Sequence, residues 1–320
     1  MTASDLVKQK RQARVNAAKR LERQIAIGVV VSPFMGTIAA LIWMSAYGIT
    51  LVDVGLLIFM YAITGLGITA GFHRLVTHKS FKTGKIIQIL LIIAGSMAAQ
   101  GPVLFWTACH RRHHASTDDS NDPHSPNLSG QGIVKRFLGL WHAHIGWMFN
   151  HDGDENWMRY VPDLLRDHLI FKINELYFVW IFLGFLIPAI LGGFLSNSWQ
   201  GIISGFLWGG FVRMFLVHHS TWSINSICHS FGSRPYETKD ESTNNFICAL
   251  FAFGEGWHNN HHAFQASAKH GIEWWQVDIT YWVINSLEKL GLASEVNRPS
   301  TALLETKKRK SANKASLSDD

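Results

Sequence analysis

Polar and apolar positions along the 320 residues fall into long blocks, and those blocks set the architecture. Residues 25–46 and 176–195 contain no charged side chain, 51–72 contain only Asp53, and 201–217 only Arg213. A helix rises 1.5 Å per residue and a hydrocarbon core is about 30 Å thick, so each block crosses it, or nearly so with anchoring side chains at its ends. Short connectors at 47–50 and 196–200 join the blocks into two helical hairpins. Residues 86–99 and 246–257 are apolar but too short to cross, which predicts interfacial segments. The largest polar region, 105–167, lies between the hairpins.

Composition agrees with a membrane chain: 48% hydrophobic, 16% charged, with thirteen Trp. Lys8, Lys10, Arg11, Arg14, Lys19, Arg20 and Arg23 precede the first block, Lys307, Lys308, Arg309, Lys310 and Lys314 follow the last, and the short connectors hold no Lys or Arg. That bias predicts both termini in the cytoplasm. Residues 1–24 are basic and polar, unlike a signal peptide; 5–24 read as a surface helix or a solvated tail, and 299–320 as a disordered basic tail. The net charge of +6 then reflects orientation and contacts with membrane lipids, not nucleic-acid binding. Arg213 is expected to snorkel to the interface. Cys109, Cys228 and Cys248 show no CxxC spacing, which argues against a disulfide framework and an iron–sulfur cluster. No dinucleotide glycine fingerprint occurs.

Candidate chemistry lies in four stretches that gather nine of the seventeen histidines: His73 and His78; His110, His113 and His114; Asn225 and His229; His258, His261 and His262. Residues three and four apart share a helix face, so each HxxHH triplet converges, as do Asn225 and His229. His73 and His78, five apart, diverge by about 140° on a regular helix, which predicts that the helix bends or unwinds there. Imidazole suits iron, copper, zinc and nickel, and nine exceed the four to six ligands of one ion, so two ions is the economical reading. The hairpin arrangement brings all four stretches to the cytoplasmic side. His124, His142, His144, His218 and His219 are read either as donors that orient the ligands or as ordinary histidines; His151, His168 and His270 are read as ordinary.

The order HxxxxH, HxxHH, NxxxH, HxxHH, opened by GITAGFHRLVTH and closed by GEGWHNNHHAF, resembles the integral-membrane fatty acyl desaturases of the stearoyl-CoA or Δ9 type, with bacterial and cyanobacterial relatives. The resemblance covers roughly residues 25–276. It implies an all-α membrane protein in which four transmembrane helices in two hairpins, within a domain spanning 25–298, carry a cytoplasmic helical cap with a non-haem di-iron site. The implied ligands are His73, His78, His110, His113, His114, His229, His258, His261 and His262, with Asn225 holding a water at one iron. It implies a bent apolar substrate tunnel with Trp106 and Thr221 at the bend and Tyr61 and Gly65 toward the closed end. No acid–base residue ionises an unactivated methylene, so an oxidant derived from dioxygen is required. The implied partners are a saturated acyl chain on lipid or CoA, dioxygen, and an external electron donor such as a ferredoxin, a cytochrome b5-like protein or a flavoprotein reductase. Ala108 and Cys109 stand where acyl-CoA members carry an Arg-Asp pair, which leaves lipid and CoA both open as acyl carriers. A hydroxylase with the same iron centre and a membrane metal-binding or transport protein are the alternatives. Transport calls for ionisable ligands within the spans, whereas these lie at the span ends.

Overall fold

The computed structural model describes residues 3–149 and 156–308. His151, Arg309, Lys310 and Lys314 lie outside them. Most of the described residues are helical, and the one sheet among them is the two-stranded antiparallel pairing of β1 (Lys82–Thr83) with β2 (Ala293–Ser294). Four helical stretches are long and apolar enough to cross a membrane: Lys8–Tyr47, Leu51–Thr77, Tyr177–Ser196 and Trp199–Ser226.

Helix α1 (Ala3–Tyr47) is continuous, so the basic segment at 5–24 extends the first span instead of forming a separate surface helix. Helix α2 (Leu51–Leu66) starts on a capping box in which Thr50 and Asp53 satisfy each other's exposed backbone N–H groups, which explains the single acid of that span. It runs into a π-helical segment, Gly67–Thr77. Helix α3 (Lys85–Met97) packs against that segment through two glycines: a Cβ on Gly67 would lie 2.1 Å from the Gly95 backbone nitrogen. After α3 the chain turns through Ala99 and Gly101, both in the left-handed region, into α4 (Val103–Ala115). Helices α5 (Ile133–His144) and α6 (His168–Glu175) lead to the third span, α7 (Tyr177–Ser196).

The fourth span is α8 (Trp199–Gly205), a second π-helical turn (Phe206–Val212) and α9 (Arg213–Ser226). It meets α7 backbone to backbone, since a Cβ on Gly192 would sit 2.2 Å from the Gly201 carbonyl oxygen; small residues permit this approach where lipid gives helices no hydrophobic reason to associate. Arg213 does not snorkel. It is wholly buried, with its guanidinium donating to the carbonyls of Gly209, Met97 and Gly184. Two of those carbonyls belong to neighbouring helices, so the cation ties α9 to the end of α3 and the middle of α7.

Beyond the spans lie α10 (Phe246–Phe251), α11 (His258–Ala263), α12 (Ile279–Lys289) and α13 (Thr301–Lys307). The last corrects the expected disordered tail over its first ten residues. Lys307 donates to the Ala263 carbonyl, its own carbonyl accepts from Glu237, and Leu304 packs on Tyr236 and Phe264.

Candidate metal centre and acyl cavity

The π-helical segment resolves the five-residue spacing of the first histidine pair. With an i→i+5 repeat, the His78 N–H donates to the His73 carbonyl at 3.0 Å and the two rings stand 4.8 Å apart. The helix widens at the place where a bend or unwinding was expected. One turn of α4 carries His110, His113 and His114, α11 carries His258, His261 and His262, and His229 follows the end of α9.

Together these elements bring the nine imidazoles into two adjoining groups. His73, His78, His110, His114 and His261 form one, and His113, His229, His258 and His262 the other; within each, the nitrogens lie within 4.8 Å of one another. In the first, Nε2 of His114 is 2.9 Å from Nε2 of both His110 and His261, and Nε2 of His73 is 3.2 Å from that of His261. In the second, Nε2 of His258 is 3.0 Å from that of His229 and 3.1 Å from that of His262. The rings of His114 and His262, 4.6 Å apart, join the groups.

Carboxylates behind the rings fix which nitrogen faces inward. Nδ1 of His73 meets Glu255 at 2.6 Å, His113 meets Asp122 at 2.9 Å, His229 meets Asp118 at 3.2 Å and His262 meets Asp240 at 2.9 Å. An ionised carboxylate only accepts, so each of these Nδ1 atoms donates and leaves Nε2 with a lone pair toward the centre. Burial raises the Asp122 and Asp118 carboxyls, but the bonds and charges of His113 and His229 outweigh it and hold both below their usual range. Burial, then mutual repulsion among the imidazoles, holds His78, His110, His114, His258, His261 and His262 well below the ordinary histidine value. Nine buried, convergent imidazoles, six of them held toward the neutral form, make a donor set that fits two borderline metal ions.

Of these carboxylates, Glu255 and Asp240 were not read from the sequence as part of the site, because the histidine that each one braces is distant in the chain. Asp118 and Asp122 lie in an acidic stretch just after α4, and Asp118 adopts a left-handed conformation that lets its N–H donate to Asp122 at 2.9 Å. His270, read as ordinary, is 1% exposed, with its ring 4.5 Å from that of His261 and Nδ1 3.4 Å from Glu255. His124 packs beside His113 and Asp122. His144 and His219 pair with each other at 3.0 Å, and His218 meets the Ala98 carbonyl.

A mainly apolar cavity opens beneath the histidines. Its walls include all four expected tunnel residues, Tyr61, Gly65, Trp106 and Thr221, together with Asn225, Glu255, His73, His110, His113 and His258. Trp106 stacks on His110 with ring centroids 5.1 Å apart. Thr221 is fixed by Gln100, whose Nε2 donates to its hydroxyl at 2.8 Å. At the far end the Tyr61 hydroxyl bonds Ser220 and the Phe251 carbonyl, both at 2.7 Å, while the Phe253 ring lies 2.2 Å from where a Cβ on Gly65 would be.

Four long apolar helices, a helical cap and two convergent histidine groups beside an apolar cavity define a helical protein of membrane type with a site that could hold metal. The chain belongs to the fatty acid desaturase family, whose family profile matches residues 48–292; its members are oxidoreductases acting on fatty acyl chains. It is 51% identical over 280 residues, 87% of each chain, to the hex-5-enoyl-[acyl-carrier protein] acetylenase of Moorena producens. It is 42% identical to the sn-1 stearoyl-lipid 9-desaturase of Anabaena variabilis, over 76% of this chain and 83% of that one. It is 40% identical to the acyl-CoA C20 Delta5-desaturase of Anemone leveillei, over 75% and 72%.

Proposed function

We propose that this chain removes two hydrogens from adjacent carbons of a saturated acyl chain, leaving a cis double bond, while dioxygen takes up those hydrogens with two external electrons and two protons to leave as two waters. The observation that carries the reading is the meeting of the nine imidazoles with an apolar cavity: the rings of His73, His110, His113 and His258 form part of its wall. In this reading the nine histidines hold two irons and Asn225 holds a water at one of them. Two irons bound there would supply the dioxygen-dependent oxidation that an unactivated methylene requires.

The remaining work belongs to the chain itself. Glu255, Asp118, Asp122 and Asp240 orient the ligand rings. The buried apolar walls keep water from the acyl chain, and Trp106, beside His110, bends it under the centre. Because methylenes are chemically alike, the bond position is set by shape between the Trp106 and Thr221 bend and the Tyr61 and Gly65 end. We assign Δ9 desaturation of an acyl lipid, supported by the Anabaena variabilis relative and by uncharged Ala108 and Cys109 before the second histidine stretch. The centre faces the cytoplasm, as the basic segment ahead of the first span supports. There a ferredoxin, a cytochrome b5-like protein or a flavoprotein reductase delivers electrons, steered by complementary charge.

A second reading is favoured by one observation, the match to the Moorena producens acetylenase over 87% of both chains. It is removal of hydrogens from an already unsaturated chain on an acyl-carrier protein, giving a triple bond.

Fatty-acid profiles by gas chromatography–mass spectrometry, from cells expressing the chain with a ferredoxin and reductase, separate these readings. A cis-monoene in the polar lipids, absent with His261→Ala although that variant still inserts in the membrane, is the expected result. An acetylenic product on acyl-carrier protein favours the second reading. A hydroxy acid, or full activity in the variant, overturns the assignment.

A further inference from the structure

The two histidine groups differ in what stands behind them. In the four-histidine group, three rings are braced from the far side: His113 by Asp122, His229 by Asp118 and His262 by Asp240, at 2.9, 3.2 and 2.9 Å. Among the described residues, none of these three carboxylates is ion-paired to a lysine or arginine side chain. Only His258 lacks such a brace. In the five-histidine group, among the described residues, only His73 is braced by a carboxylate, Glu255, and Arg74 draws on that carboxylate, with Nη2 3.0 Å from Oε1. Nδ1 of His114 and of His261 is buried with no hydrogen-bond partner.

We infer that the two metal positions are unequal, the four-histidine position holding its ion more tightly and the five-histidine position being the one that exchanges. A carboxylate on the outer nitrogen fixes the tautomer and ring orientation and raises ligand basicity, and its loss costs about ten- to a hundredfold in affinity. Three carboxylates without a lysine or arginine partner, against one shared with a guanidinium, outweigh one additional imidazole. The three also place three negative charges beside the four-histidine position, whereas Arg74 lies between Glu255 and Asp278 and leaves only one net negative charge behind the five-histidine position.

The inference rests on the metal-centre reading above, and the experiment separates the two. The purified full-length chain, loaded with ferrous iron without oxygen, is titrated with a ferrous chelator while retained iron per chain is measured by plasma mass spectrometry. The expected result is two equivalents at saturation, released in two phases at least about tenfold apart in chelator concentration. Asp122→Asn, and independently Asp240→Asn, should weaken the tight phase by about ten- to a hundredfold, whereas His78→Ala should remove only the loose one. A single phase for both ions, a tight phase indifferent to both asparagine variants, or a tight phase abolished by His78→Ala would overturn the inference. Fewer than two equivalents at saturation would overturn the metal-centre reading beneath it.

Discussion

The two ends of the cavity are built on different principles. At the histidine end, position is fixed by short directional bonds: four imidazoles are held by carboxylates, which are held in turn by further donors, as when the Ser125 hydroxyl and the Asn127 side-chain amide donate to Asp118 and the Arg74 guanidinium to Glu255. At the far end, position is fixed mainly by packing, a phenylalanine ring filling the space over a glycine, with the Tyr61 hydroxyl alone bonded to Ser220 and the Phe251 carbonyl. Directional bonds tolerate almost no substitution, whereas packing can be redrawn one side chain at a time. Similar chains can thus keep one kind of centre while differing in product, bond position and carrier, as the three relatives do by name.

That contrast is broken most severely at Glu255. Glu255→Ala removes the brace on His73 and strips Arg74 of a partner, so iron retained per chain should fall by about ten- to a hundredfold in affinity, measured by chelator competition. Unchanged retention would mean that the carboxylate is not part of the centre.

Acid should separate the two ends next. The buried imidazoles of the centre are held below the ordinary value, so in metal-free protein the unfolded chain takes up protons first as pH falls. Stability from this source is full above about pH 6.5 and is lost below it, toward the depressed values. The thermal midpoint of the metal-free chain should drop between about pH 7.5 and 5, and bound metal should reduce the drop. An unchanged midpoint would mean that these rings are already solvated.

Gly65→Ala probes the packed end. Its Cβ would lie 2.2 Å from the Phe253 ring, which must move, so turnover of the longest acyl chains should fall a few-fold against shorter ones while bound iron stays constant. Loss of iron would tie the two ends together. Tyr61→Phe is the mildest change: it removes hydrogen bonds worth about 1 kcal/mol each, with a small loss of stability and no loss of metal.

How much of this was legible in the sequence follows the same division. The spans were legible because hydropathy accumulates over twenty neighbouring positions, and the histidine groups because three- and four-residue spacings imply one helix face. The His73 to His78 spacing signalled irregular backbone without revealing that it is π-helical. Glu255 and Asp240 were not legible, since contacts made across long stretches of chain leave no periodicity. Arg213 was misread because hydropathy gives its depth along the span, not the direction of its side chain, and the three carbonyls that receive it come from three separate elements. Residues 301–307 were misread because a polar composition hides a serine N-cap and a lysine that reaches the Ala263 carbonyl.

The most direct test of the account is a turnover experiment on the purified, iron-loaded chain in lipid, given reductant, dioxygen and a stearoyl lipid deuterated at carbons 9 and 10. The account predicts an oleoyl product that has lost one deuterium from each of the two carbons, formed in step with dioxygen uptake. A product bearing a hydroxyl, or a chain returned with all its deuterium while dioxygen is consumed, would contradict it.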